Sequence, residues 1–446
     1  MTNRIRRRQF IQGLAAGMGL TVIGAGRARS SAANEAVQVG MIGVGGIGVA
    51  NRRAITHAGG RIVGLCDVDR QRLEQAGGDH PDARRWVDYR EMIAEQGEQL
   101  DAVMVSTPDH THAVASGDAM RAGLHVSCEK PLTHSVFEAR RMAQIAEECG
   151  VVAQMDNEGH GSHQMRELVE AVRAGAIGPV REVHVISDRP AGWWPQGMDS
   201  RPASQPVPDH LEWDLWLGPV PRLDYHPGLH PFNWRGWWDF GTGALGDMGC
   251  HFFDAAFWAL ELGHPDWVEA EHEGNTDLSG PLRSVVTYHF PERRASWGET
   301  LPAVRLQWHD GGKKPPRPDA FEEGDQVPGN GSVLVGDAGA MIVHGNSGFQ
   351  IVPERQRREF EPPEPYLERA PGGNHQRDFL DAIRTGRRPG SDVVTYSGPM
   401  TEVVLLGNVA IRSGKRIQWE PQEMKIPNAP EAERYLHREY REGWSL

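Results

Sequence analysis

Gly43, Gly45 and Gly48 follow an apolar run (Val37, Val39, Met41, Ile42) at the spacing G-x-G-x-x-G, with Gly46 and Ile47 completing the turn. A strand, a tight turn and a helix in that order make a phosphate cradle. The first glycine permits the turn, the second lets backbone approach a pyrophosphate, and the third lets helix and strand pack closely, with helix amides aimed at the anion. The chain holds 53 glycines, so spacing alone is weak; Asp67, nineteen residues past Gly48 at the end of a short strand Arg61–Cys66, strengthens it. An acid there accepts hydrogen bonds from an adenosine ribose and repels a 2′-phosphate, which favours NAD; nearby Arg70 weakens that preference and leaves NADP open.

Two other strand ends carry polar signatures, Thr107-Pro108-Asp109-His110-Thr111-His112 and Glu129-Lys130-Pro131. Pro131 biases Lys130 toward extended backbone and would hold its ammonium at the rim of the cofactor crevice. Further on, Asp247 is placed as N-cap of a helix running to about Leu262, and His251, four residues later, shares its face. Taken alone, that pair reads as a capping Asp and a first-turn histidine. Pairs of histidines (His110 and His112, His160 and His163, His226 and His230) lack any H-E-x-x-H or similar ligand spacing, so no metal is expected.

The elements that must position these groups alternate over the first third of the chain. Helices are predicted near 68–76, 89–95, 111–122 and 135–149, and strands at 102–106, 124–128 and 151–155. That alternation implies a doubly wound parallel sheet, a Rossmann domain over residues 35–156, with ligands at the strands' carboxyl ends. From 157 to 420 the pattern shifts: a helix at 164–174, strands at 180–187, 284–290, 304–308 and 332–335, and helices at 376–385 and 399–413. An α+β domain with a largely antiparallel open sheet is expected there, serving substrate binding and oligomerisation. Within it, residues 189–240 are rich in proline and hold seven tryptophans; Asn233-Trp234-Arg235 would offer a sugar ring a face and hydrogen bonds. Residues 421–446 read as a C-terminal tail.

The 446 residues carry a formal charge of -13, which argues against nucleic acid or an anionic membrane surface as main partner. Four cysteines form no C-x-x-C pair and read as structural, with one disulfide left open. The N-terminus is different. Arg7 and Arg8 precede a Gly- and Ala-rich apolar stretch from Leu14 to Gly26, too short for stable membrane insertion, and small residues through Ala33. Residues 1–33 resemble a twin-arginine export signal, which implies the export machinery as a partner and a periplasmic or exported location.

Together, the glycine turn with Asp67, T-P-D-H-x-H, Glu-Lys-Pro, and Asp247-x-x-x-His251 behind a glycine-rich loop resemble the Gfo/Idh/MocA family, which includes glucose-fructose oxidoreductase and inositol dehydrogenase. The resemblance implies that Thr107, Pro108, His110, Glu129 and Lys130 join the glycine turn in binding NAD. It also implies that Lys130, Asp247 and His251 are catalytic, with Asp247 and His251 touching substrate; Trp234 and Arg235, in an insertion longer than the family's pattern, are placed at the substrate by residue type alone. His251 would be base or acid, Lys130 the polarising partner and Asp247 the orienting residue. Where many relatives carry a Phe- and Arg-containing motif after residue 155, this chain has Asp156 to His163. Three functions fit: oxidoreduction of a sugar, glycoside or polyol hydroxyl with a tightly held, internally recycled cofactor; glycoside cleavage through transient ring oxidation; and non-catalytic sugar binding on the same fold. A homo-oligomer is expected.

Overall fold

The computed structural model describes residues 36–345 and 348–446. The export signal expected at residues 1–33 lies outside the described residues. Among those described, no helix is long and apolar enough to cross a membrane.

Strands β1 (Gln38–Ile42), β2 (Arg61–Cys66), β3 (Arg84–Trp86), β4 (Ala102–Val105), β5 (His125–Glu129) and β6 (Ala153–Asp156) form one sheet in the order β3-β2-β1-β4-β5-β6, parallel throughout. β1, β4, β5 and β6 are buried on both faces, because helices cover each side. These are α1 (Ile47–His57), α2 (Arg70–Asp79), α3 (Tyr89–Gln96), α4 (Asp109–Arg121) and α5 (Val136–Cys149). Ser135 caps α5 in a full capping box with Glu138, and Gly150 ends it in the left-handed conformation. Strand order reverses between β1 and β4, which opens a crevice at their carboxyl ends.

The second half contributes α6 (His163–Arg173), β7 (Val180–Ile186), α7 (Trp213–Leu217), α8 (Gly243–Phe252), α9 (Asp254–Ala259), β8 (Trp267–Glu273), β9 (Arg283–Phe290), β10 (Val304–His309), β11 (Gly331–Gly336), β12 (Ala340–His344), β13 (Gly348–Val352), α10 (His375–Thr385), α11 (Gly398–Ser413) and β14 (Ile417–Gln418). Eight of its strands form one sheet in the order β13-β12-β11-β7-β10-β9-β8-β14, antiparallel except for the β7–β10 pair. β9 alternates buried and less buried residues, the signature of a sheet covered on one face. α11 lies on that covered face: Tyr288 Oη donates to the Val404 carbonyl at 3.1 Å, and a side chain at Gly407 would collide with the same ring.

Two segments cross back to the nucleotide domain. α10, grouped by sequence with the second domain, instead packs Phe379, Leu380 and Ile383 against Val37, Val39 and Met41. Its apolar face is thus buried in a cluster that residues of β1 and of the end of α1, such as Met41 and Ile55, share. The last residues form a strap: Arg438 Nε donates to Glu138 Oε1 at 3.0 Å, Tyr440 Oη to the same oxygen at 2.6 Å, and Arg441 Nη1 to Asp214 Oδ1 at 2.6 Å. Between α5 and α11, Arg140 grips the buried Glu402 with two bonds of 2.6 Å. The residues 189–240 build a small apolar core of their own from Trp213, Trp216, Trp234, Trp237 and Phe240. All four cysteines are free thiols.

Candidate active site

At the end of β1 the chain turns through Gly43 (φ 85°), where a Cβ would stand 2.7 Å from the Ser106 carbonyl oxygen. A Cβ on Gly48 would stand 2.3 Å from the Gly43 carbonyl oxygen. α1 then starts with no side-chain cap and no acid in its first turn, and Ile47 leaves 46% of its surface exposed. Uncapped amides on a glycine turn form a cradle that fits a pyrophosphate. Asp67 closes the far side. Its Oδ2 accepts from Val44 N (2.9 Å) and Gly45 N (3.3 Å), its Oδ1 from Asp69 N (2.9 Å), and burial raises its pKa despite these bonds. The cation at this end is Arg72, whose Cδ would lie 2.4 Å from a Cβ on Gly45; Arg70, expected to weaken the NAD preference, turns outward to Glu212 at 2.5 Å.

The two polar strand ends are tied together by a residue the motif reading left without a role. His112 Nδ1 faces the Pro131 carbonyl (2.8 Å) and Nε2 the Thr107 carbonyl (2.7 Å). Two carbonyl acceptors require both ring nitrogens to donate. Burial opposes the charge, but Cys128, Asp109 and the Pro131 carbonyl outweigh it and lift the pKa to about 10. Glu129 is held from β5 by Asn51 Nδ2 of α1 at 2.9 Å and by its neighbour's amide, Lys130 N, at 3.1 Å. Thr107 and Pro108 stand half-buried at the head of α4. His110, expected at the cofactor, is instead a packing residue. Its ring lies between Trp216 and Phe240 with Nε2 2.8 Å from the Trp216 carbonyl oxygen, and burial and Arg438 push its pKa down to about 3.

The loop after β5 meets α8. Lys130 Nζ donates to Asp247 Oδ1 at 2.9 Å and to the Asp247 carbonyl at 3.1 Å. Arg235 Nη1 stands 2.8 Å from the same Oδ1. Burial would raise the Asp247 carboxyl, but Arg235 and Lys130 outweigh it and hold it well below the usual carboxylate range. Asp247 is not the N-cap. α8 begins four residues earlier because Thr242, through N (3.1 Å) and Oγ1 (2.7 Å), is anchored to Asp109 Oδ2, a long-range bond invisible to local pattern. The helix also breaks at Phe253 rather than running to Leu262. His251 nevertheless sits one turn beyond Asp247, half-buried, its Nδ1 without a partner. Burial, Lys130, Arg189 and Arg235 push its pKa to about 3, so the imidazole is neutral.

Trp234, expected as a substrate face, is buried in the core of its own segment with Arg235 over its ring at 4.5 Å. Trp193 (47% exposed) and Phe232 (44%) are the aromatic rings facing solvent beside the arginines. Arg189 was not singled out by sequence; its Nε lies 3.9 Å from Asp247 Oδ2. A charged residue before proline at the end of β7, as at Lys130-Pro131, is the signal that marks it. Asp156, at the end of β6, accepts from Gln376 Nε2 at 2.8 Å; burial, Glu129 and Glu158 lift its pKa well above normal. Among the described residues no group of three or more His, Cys, Asp or Glu side chains is arranged to hold a metal.

Sequence profiles of one oxidoreductase family match both halves: its NAD-binding Rossmann fold over residues 37–157 and its C-terminal α/β domain over residues 163–290. Inositol 2-dehydrogenase 1 of Saccharopolyspora erythraea is 30% identical over 164 residues, 34% of this chain and 45% of that protein. The 1,5-anhydro-D-fructose reductase of Ensifer adhaerens is 30% identical over 125 residues, 28% of this chain and 37% of that one. The matched stretch thus spans less than half the length of these curated relatives. Among solved structures, the WlbA dehydrogenase from Bordetella pertussis, in complex with NADH and UDP-GlcNAcA, superposes with a TM-score of 0.59 at 19% identity, over 86% of this chain and 99% of that one. At that identity the likeness speaks for the fold.

Proposed function

The chain belongs to the Gfo/Idh/MocA oxidoreductase family, and from that premise we propose that it moves a hydride between NAD and a secondary hydroxyl of a sugar, glycoside or polyol. The observation that carries this reading is the meeting of Lys130 and Asp247 at 2.9 Å, with neutral His251 one turn away, at the carboxyl ends of the strands that present the glycine turn. NAD, when bound, supplies the hydride acceptor. His251, unprotonated, takes the hydroxyl proton; Lys130 holds the oxygen as negative charge develops; Asp247 fixes the lysine through two contacts. In reverse, the same groups return the proton.

The twin arginines at Arg7 and Arg8 extend the proposal. An exported enzyme has no pool of free NAD, so the cofactor is carried folded into the protein and the hydride is returned within the site. A second reading is redox-neutral cleavage of a glycoside. In it Glu158, exposed just past the end of β6 beside Glu129 and Lys130, would protonate the leaving group. Protein purified without added nucleotide should release close to one equivalent of NAD on denaturation. Lys130→Met and His251→Ala should lower turnover by at least about 100-fold while leaving that content intact. Unchanged turnover would refute the assigned roles, and an empty protein would refute the closed cycle.

A further inference from the structure

The crevice holds more cationic donors than its own anions use. Arg235, 17% exposed at the side chain, carries five N–H groups. It meets Asp247 at 2.8 Å and stands 3.7 Å from Asp109, yet its Nη1 has no hydrogen bond of proper angle. Arg189, 13% exposed, gives one N–H to Asp188, and its Nε, 3.9 Å from Asp247, is without a partner. Each guanidinium also lies by a solvent-facing ring, Arg189 at 3.6 Å over Trp193 and Arg235 at 6.0 Å from Phe232. Stacking holds a guanidinium by its faces and leaves its edges for a planar or tetrahedral anion.

Lys130 alone gives Asp247 a hydrogen-bonded counter-ion. Arg235, at 2.8 Å, shares in holding that carboxylate, but most N–H groups of the two arginines remain after it, and removing guanidinium donors from water is costly unless an acceptor meets them. A neutral sugar offers hydroxyls; a charged group offers bonds roughly twice as strong. We propose that the crevice recognises a sugar or glycoside bearing a negative charge, a carboxylate or a phosphate, bound by Arg189 and Arg235 with Trp193 and Phe232 at the rim. The inference rests on the crevice being the sugar site.

The test is direct binding to the NAD-loaded protein, followed by tryptophan fluorescence, with D-glucose, D-glucuronate and glucose 6-phosphate. One charged ligand should bind about 30-fold tighter than glucose at low salt, with the advantage shrinking as salt rises. Whichever is tighter identifies the anion. Arg235→Met and Arg189→Met should each cut the preference at least about fivefold with NAD content unchanged. Equal binding of charged and neutral sugars, or a preference that survives both substitutions, overturns the inference. Should a variant fail to fold, the wild-type preference and its loss at high salt decide alone. Tight charged binding by a protein whose Lys130→Met and His251→Ala variants keep wild-type turnover would instead overturn the catalytic roles and leave this inference standing.

Discussion

Gly48→Ala tests the nucleotide cradle at its tightest point. The new Cβ would lie 2.3 Å from the Gly43 carbonyl oxygen and 3.0 Å from its carbon, against ordinary contact from 3.4 Å outward. Both colliding atoms are backbone, so no rotamer relieves the clash; the start of α1 and the end of β1 must part by about 1 Å. Overpacking of this kind costs about 1–3 kcal/mol. The same displacement moves the amides of the turn off the pyrophosphate, so NAD affinity should fall by about 5- to 150-fold, at 1.4 kcal/mol per tenfold. Calorimetric titration of NAD into nucleotide-free protein reads this directly, with the thermal midpoint measured in parallel. Gly78→Ala is the control: it lies in α2, its added Cβ meets nothing within 4 Å, and it should leave NAD binding unchanged. A Gly48→Ala protein with wild-type affinity and midpoint would refute the close approach of helix and strand as the basis of the cradle.

Asp67→Ala removes the acceptor of the Val44, Gly45 and Asp69 amides while keeping Arg72, so NAD affinity should fall by about tenfold or more and NADP affinity by less; an unchanged NAD-to-NADP ratio on titration would count against Asp67 as the discriminating residue. Arg140→Met strands the buried Glu402 carboxylate and should cost about 3 kcal/mol in urea unfolding, a loss that Glu402→Gln in the same protein should partly restore. His375 is buried with Nε2 2.9 Å from the Met155 carbonyl oxygen, and burial lowers its pKa to about 4. Its unfolded form binds a proton first as pH falls, so the stability it contributes is complete above about pH 6.5 and is lost toward pH 4, by up to about 3 kcal/mol. His375→Gln should flatten the pH dependence of the urea midpoint across that window, and an identical slope in wild type and variant would refute the assignment.

The glycine turn and the alternation of the first half were legible because each is a local pattern: spacing fixes the turn, and apolar runs of four to six residues mark buried strands. What escaped was set at long range. The start of α8 was displaced to Gly243 by a hydrogen bond from Thr242 to Asp109, 133 residues away. Trp234 and Trp193 look alike in a list of tryptophans, and only packing against Trp213, Trp216 and Phe240 sends the first inward and leaves the second at the surface. His110 and His112 belong to one motif and one helical turn, yet one ring is neutral between aromatics and the other is cationic between two carbonyls. Arg189 had a signal, its proline, but no partner in sequence that would pair it with Asp247.

The strap of Arg438, Tyr440 and Arg441 also sets an order of events in time. Its bond to Glu138 joins positions 300 apart, and α10 brings His375 to a carbonyl of β6 from 220 residues away. Contacts of such separation close long loops and so form late and slowly. A nascent chain that has emerged only as far as β6 therefore lacks both α10 and the strap that secures α5. The nucleotide domain is thus completed by residues 375–440, so its stability depends on segments far down the chain from the glycine turn.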